Sequence, residues 1–279
     1  MKPPLPHTGM PRAGTSRAAH DRRDPHREQD WRRRQALVLI VSAIAMLYVF
    51  EATRLDLWLA RFAFDAELGR FALRTDPFLE NVMHRGAKTV LIGLALAAVG
   101  LCVQGLRGRL AWLPPRGALT AVLGMLLIPA VTSTLKALTN RHCPWDVVDF
   151  GGYAPYLGLL ALPDADLKRG VCFPAGHASV GYLWLVWGVA LRTAGVRYAR
   201  AATLVAILLG SILGAAQMLR GAHFLSHTLW SMWLGWAISL ALACALDPLT
   251  KGRNQAARGK LSTARTPPMA EVSKATAPP

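Results

Sequence analysis

Charge is thin in this chain, and negative charge is thinner still. Only 17% of the 279 residues are charged, against about a quarter in soluble domains, which excludes an ordinary soluble enzyme. Acidic residues number 16 against 32 Lys and Arg, for a formal net charge of +16. Such an excess suits nucleic acid when it covers a folded surface. Here it sits in residues 1–34, in residues 247–279 and in short loops, so no nucleic-acid partner is expected. No apolar leader of the signal-peptide kind precedes the first long apolar run, so the basic N-terminal tail is expected to stay in the cytoplasm.

What is abundant is apolar sequence, 53% of the chain, gathered in blocks. Six runs read as helices: 36–50, 89–106, 117–135, 178–191, 201–219 and 225–246. A bilayer core is about 30 Å thick and a helix rises about 1.5 Å per residue, so about 20 residues cross it with every backbone group bonded internally. The first and fourth runs reach that length only with their polar flanks, and for the fourth this puts His177 at a membrane surface. The expected fold is therefore an all-α integral membrane bundle of six spans over residues 35–246, between two disordered basic tails, 1–34 and 247–279.

Orientation follows the Lys and Arg. Both tails and the turns at 107–116 and 192–200 are basic, so these four segments share the cytoplasmic side. The segments 51–87, 139–176 and 220–224 lie opposite and hold most of the acidic residues. In the first of them, Leu55, Trp58, Leu59 and Phe62 fall at helical spacing, and Thr75-Asp76-Pro77 starts a helix running to Gly86. An interfacial helix pair is expected there, with His84 as a surface histidine.

Polar residues at membrane depth need a partner or a purpose. Three clusters stand at helix ends on the less basic side. Lys136, Arg141, His142, Cys143 and Pro144 close the third span. Pro174, Ala175, Gly176 and His177 open the fourth. Gln217, Arg220, His223 and His227 bridge the last two. Several cations with histidines around one cavity describe a cradle for a phosphoryl group, whose transfer depends on positioning and on neutralising oxygen charge. One imidazole attacks phosphorus and another protonates the leaving oxygen. Gly176 would let backbone N–H groups approach the anion. The alternative is a metal held by His177, His223 and His227, which the surrounding cations would repel. No metal or cofactor is expected.

In this order, the clusters resemble the motifs of the type-2 phosphatidic acid phosphatase superfamily: Lys, six residues, Arg-Pro; then Pro-Ser-Gly-His; then Ser-Arg, five residues, His, three residues, Asp. The resemblance implies a membrane lipid phosphatase in which Lys136 binds phosphate, His177 is the general acid and His223 becomes phosphorylated. Four positions depart from the pattern. Cys143 stands for the first-motif arginine, Ala175 for the serine, Gln217 for the third-motif arginine and His227 for the aspartate. Arg141 and Arg220 lie near enough in sequence to serve as the missing cations, and His227 is expected to accept from the His223 ring and orient it.

The resemblance further implies a substrate at the outer leaflet, with both termini cytoplasmic and, in a bacterial inner membrane, the site facing the periplasm. Undecaprenyl diphosphate, phosphatidate, phosphatidylglycerol phosphate and the phosphates of lipid A are the candidate substrates it brings. A lipid phosphotransferase with the same residues, and a non-catalytic lipid-binding or transport relative, are the alternatives. Cys143 and Cys172 flank the first two motifs, and in an oxidising space a disulfide would fasten them, with two free thiols as the alternative reading. Cys102 and Cys244 read as small apolar residues within spans.

Overall fold

The computed structural model describes residues 25–163 and 166–263, with side chains over 26–163 and 166–247. Most of the expected tails, 1–24 and 264–279, lie outside these described residues. Among the described residues are eight α-helices: α1 Pro25–Ala52, α2 Leu55–Arg61, α3 Ala87–Leu106, α4 Pro115–Leu138, α5 Gly176–Tyr182, α6 Leu185–Thr193, α7 Ala199–Leu219 and α8 Leu225–Thr263. A two-stranded hairpin, β1 Phe64–Asp65 and β2 Arg70–Phe71, pairs Phe64 with Phe71 and Asp65 with Arg70.

Among the described residues, five helices are long and apolar enough to cross a membrane: His26–Ala52, Phe78–Leu106, Pro115–Leu138, Ala199–Leu219 and Leu225–Asp247. The sixth expected span is divided. α5 and α6 meet at Leu183 and Trp184, and every residue from Leu185 to Ala190 is buried. Its neighbours approach closely because small residues permit it. A Cβ on Gly181 would lie 2.5 Å from the Gly210 backbone, and one on Gly124 would meet the Val186 side chain. The bundle core is small and apolar where α3, α4 and α6 meet, around Ala98, Cys102, Ala118, Ala121, Ile128, Val186 and Ala190.

Three boundaries differ from expectation. α1 begins at Pro25 and includes much of the basic stretch assigned to a disordered tail. α8 runs on to Thr263, beyond the apolar limit at 246. The expected interfacial helix over 75–86 is not separate. It is a π-helical segment, Phe78–Gly86, that runs directly into α3. Asp76 Oδ1 accepts the Leu79 N–H at 2.9 Å and caps it. The expected start signal was therefore real, but the polar stretch at 84–88 did not end the helix.

The two ends of the bundle differ. At the end of the basic turns, Asp247 takes Arg116 at 2.7 Å and Arg32 at 3.1 Å, while Glu28 takes Arg32 at 3.4 Å and Arg192 at 3.6 Å. These ion pairs fasten α1, α4, α6 and α8 together. The opposite end carries the hairpin, the long segment after α4 and all three polar clusters.

Candidate active site

The three clusters meet through their backbones. Trp145 N–H donates to the Gly221 carbonyl at 3.1 Å, Cys172 N–H to the Arg141 carbonyl at 2.9 Å, and Ala175 N–H to the His227 carbonyl at 3.2 Å. Thr139 Oγ1 donates to the Phe173 carbonyl at 2.8 Å, and Gly170 N–H donates to Asn140 Oδ1 at 2.7 Å. Cys143 and Cys172 form a disulfide across the first two clusters, with their Cα atoms 5.3 Å apart. Residues scattered from 139 to 227 are thus tied into one block.

His223 follows a turn in which Gly221 has φ +74°, and a Cβ there would run into the Phe71 ring. Only glycine suits both conditions. The His223 and His227 rings are buried and meet edge to face, centroids 5.8 Å apart. His223 Nδ1 lies 3.5 Å from Cys172 Sγ, and the Cys172 carbonyl faces both rings. Burial first, then the neighbouring His227, Lys136 and His177, hold His223 well below the ordinary histidine range.

His177 opens α5, and Gly176 beside it is open toward Lys136. A Cβ on Gly176 would sit 3.5 Å from Lys136 Nζ. Lys136 is close enough to act on the charge of His177, His223 and His227 together. Among the described residues, neither Lys136 nor Lys88 pairs with a carboxylate.

The structure does not bring every expected residue to this group in the expected way. The Arg141 guanidinium is spent on the Leu159 and Ala161 carbonyls, at 2.7 and 2.5 Å. Arg220 donates to the Arg74 carbonyl at 3.1 Å and to Gln217 Oε1 at 3.3 Å, and it faces Glu80 at 3.9 Å. Both arginines organise protein rather than stand open to an anion. His227 Nδ1 is buried without a partner, and the two rings, set edge to face, share no hydrogen bond among the described residues, where the His223 ring was expected to donate to His227. The Cys172 carbonyl occupies the orienting place instead.

Three residues escaped the sequence reading. His84, expected at the surface, stacks on His177 with ring centroids 3.7 Å apart and planes 21° apart. Lys88, one turn further along the same helix, acts on His84, Lys136 and His177. Both would have been found had 78–106 been read as one helix, since 84 and 88 then share a face. Asp56 in α2 is 2% exposed. Its Oδ1 accepts the Ser226 N–H at 2.9 Å, and its Oδ2 accepts the Ser226 hydroxyl and, at 3.2 Å, the Tyr156 hydroxyl. It thereby fixes the start of α8, next to His227. Burial raises its carboxyl above the usual range, against the pull of these bonds. Nothing in the local sequence marks it.

Cys172, His223 and His227 bring one sulfur and two ring nitrogens within 4.8 Å of one another. The disulfide removes the thiolate from that set, and Lys136 acts as a cation on both remaining imidazoles, joined by Arg141 at His227. The donors fit a divalent metal poorly.

Residues 117–251 match the family model of the PAP2 superfamily. The match spans just under half of the chain. It covers α4 to α8 and therefore all three clusters, while α1, the hairpin and α3 with its π-helical extension lie before it. A solved structure described as the first transmembrane PAP2 type phosphatidylglycerolphosphate phosphatase, from Bacillus subtilis, is similar at 16% identity and a TM-score of 0.47. The match covers 78% of this chain and 96% of that one. No curated protein matches the chain.

Proposed function

We propose that the protein is a membrane phosphatase that removes phosphate from a lipid phosphate or lipid diphosphate at the outer leaflet, through a phosphohistidine on His223. The observation that carries this reading is the gathering of His177, His223 and Lys136 at one end of an apolar bundle. With Nδ1 of His223 turned to Cys172, its Nε2 is the nitrogen left to attack phosphorus. The depressed proton affinity of His223 keeps it neutral, hence nucleophilic, as pH falls below the ordinary histidine value of about 6.5. Lys136 neutralises the phosphoryl oxygens, and the bare Gly176 leaves them room.

The P–O bond breaks as the P–N bond forms, and the leaving oxygen takes a proton from His177. Water then attacks phosphorus and returns its proton to His177, releasing phosphate and free His223. Because the site lies at the end away from the basic turns, it faces outward, with both termini inside. The disulfide beside it suits an oxidising compartment.

The test is phosphate release by purified protein in detergent from a panel of lipid phosphates, with chelator present. Wild type should turn over, His223→Ala should fall by about 10³-fold or more, and His177→Ala should suffer most on substrates with poor leaving groups. Release that survives in both variants, or that needs a divalent ion, would overturn the reading.

A further inference from the structure

The third motif of the PAP2 pattern carries an arginine where this chain has Gln217. Buried at 2% exposure, Gln217 gives its Oε1 to Arg220, which leaves its Nε2 without a partner. The Gln217 carboxamide adjoins the His84 ring, and His84 stacks on His177. His84 Nδ1 and His177 Nε2 are also buried without partners. Three nitrogens in one cluster are therefore unsatisfied, and each can carry a hydrogen to donate. Leaving buried donors unpaired is costly, and native proteins seldom do so without a use. A tetrahedral oxyanion can accept from all three.

We propose that His84, brought in by the second span, replaces the arginine absent at position 217 and binds a phosphoryl oxygen together with the Gln217 amide. This rests on the phosphatase reading and names a ligand of the same site. His84 contributes its charge only when protonated. Cations face it from three directions: Lys88 on its own helix, Arg220 after α7, and Lys136 of α4 beyond the stacked His177 of α5. Glu80 is the acid that acts on it, and Arg85 and Arg220 share that carboxylate. An arriving dianion reverses this balance, so anion binding takes up a proton at His84. The permanent charge of an arginine is thereby exchanged for one that appears with the ligand.

The experiment uses full-length wild type, His84→Phe and the double variant His84→Phe with Gln217→Arg. Sulfate serves as a competitive inhibitor, because it remains a dianion throughout the accessible pH range. Phenylalanine keeps the stack and the volume but loses the ring nitrogens. The inference expects His84→Phe to weaken sulfate inhibition by about tenfold or more, and Gln217→Arg to recover most of that loss. It also expects sulfate affinity in wild type to fall with rising pH by one proton more than in His84→Phe. Unchanged sulfate inhibition in His84→Phe, or equal pH slopes in the two proteins, overturns it whether or not the double variant folds. If His223→Ala is inactive while His84→Phe matches wild type, only this inference fails. If His223→Ala keeps its activity, the phosphatase reading fails first.

Discussion

The two ends of the bundle hold cations in opposite ways. At the end of the basic turns, Arg32, Arg116 and Arg192 share Glu28 and Asp247, and Arg192 also lies 4.1 Å above the Trp31 ring. Positive charge there is matched by negative charge within the fold, and its effect is to hold four helices together. At the other end, Lys136 and Lys88 surround a group of imidazoles and find no carboxylate among the described residues. The arginines that might have crowded in are tied to loop carbonyls, Glu80 and Gln217. The contrast separates cations that are paired within the fold from cations that have no carboxylate partner among the described residues. It also explains why the conformation of the long segment 139–175 matters. By occupying Arg141, that segment determines which cations remain open.

The sharpest way to break this comparison is to exchange the expected costs. Lys136→Ala should lower kcat/KM for a lipid phosphate by about 10²–10³-fold while leaving the thermal midpoint within a few degrees of wild type, because the group has no internal partner to orphan. Equal activity in wild type and Lys136→Ala would remove the functional meaning of the open end. Next in size is the paired change Cys143→Ser with Cys172→Ser. It opens a loop with a sequence separation of 29 and should cost about 3–4 kcal/mol of stability, read as a lowered unfolding midpoint in detergent. Activity should fall with it at temperatures well below that midpoint, since Cys172 also faces His223. The smallest effect belongs to the basic end. Asp247→Asn should cost about 1 kcal/mol, reduced further by added salt, with phosphate release unchanged below the new midpoint. A larger loss of activity than of stability there would mean that the two ends are coupled.

Spans and pattern were legible because they are local. Apolar blocks mark the five long helices, and the order of the motifs puts Lys136, His177 and His223 at one end of the bundle. The fourth span was also legible as an apolar run, though not its division at Leu183 and Trp184, which depends on how α5 and α6 each pack against α7. His84 was misjudged for a related reason. A short polar stretch looks like a surface turn until the helix is seen to continue through it in π-helical form. Asp56 was invisible, since its partners are 100 and 170 positions away. Arg141 and Arg220 were close enough in sequence to seem interchangeable with the missing motif arginines, yet each found a nearer acceptor.

The sequence by itself determined the class of molecule. Transfer of apolar blocks into lipid and the placement of basic turns depend on composition and order alone, and so does the placement of His177, His223 and His227 at one end. Tertiary structure decided which of the charged residues are open. A guanidinium binds whichever carbonyl or carboxylate the fold sets within reach, and such acceptors come from distant segments whose positions no local pattern encodes. Hence Lys136 remained available and Arg141 did not, and a histidine from the second span came to lie against the one that opens α5.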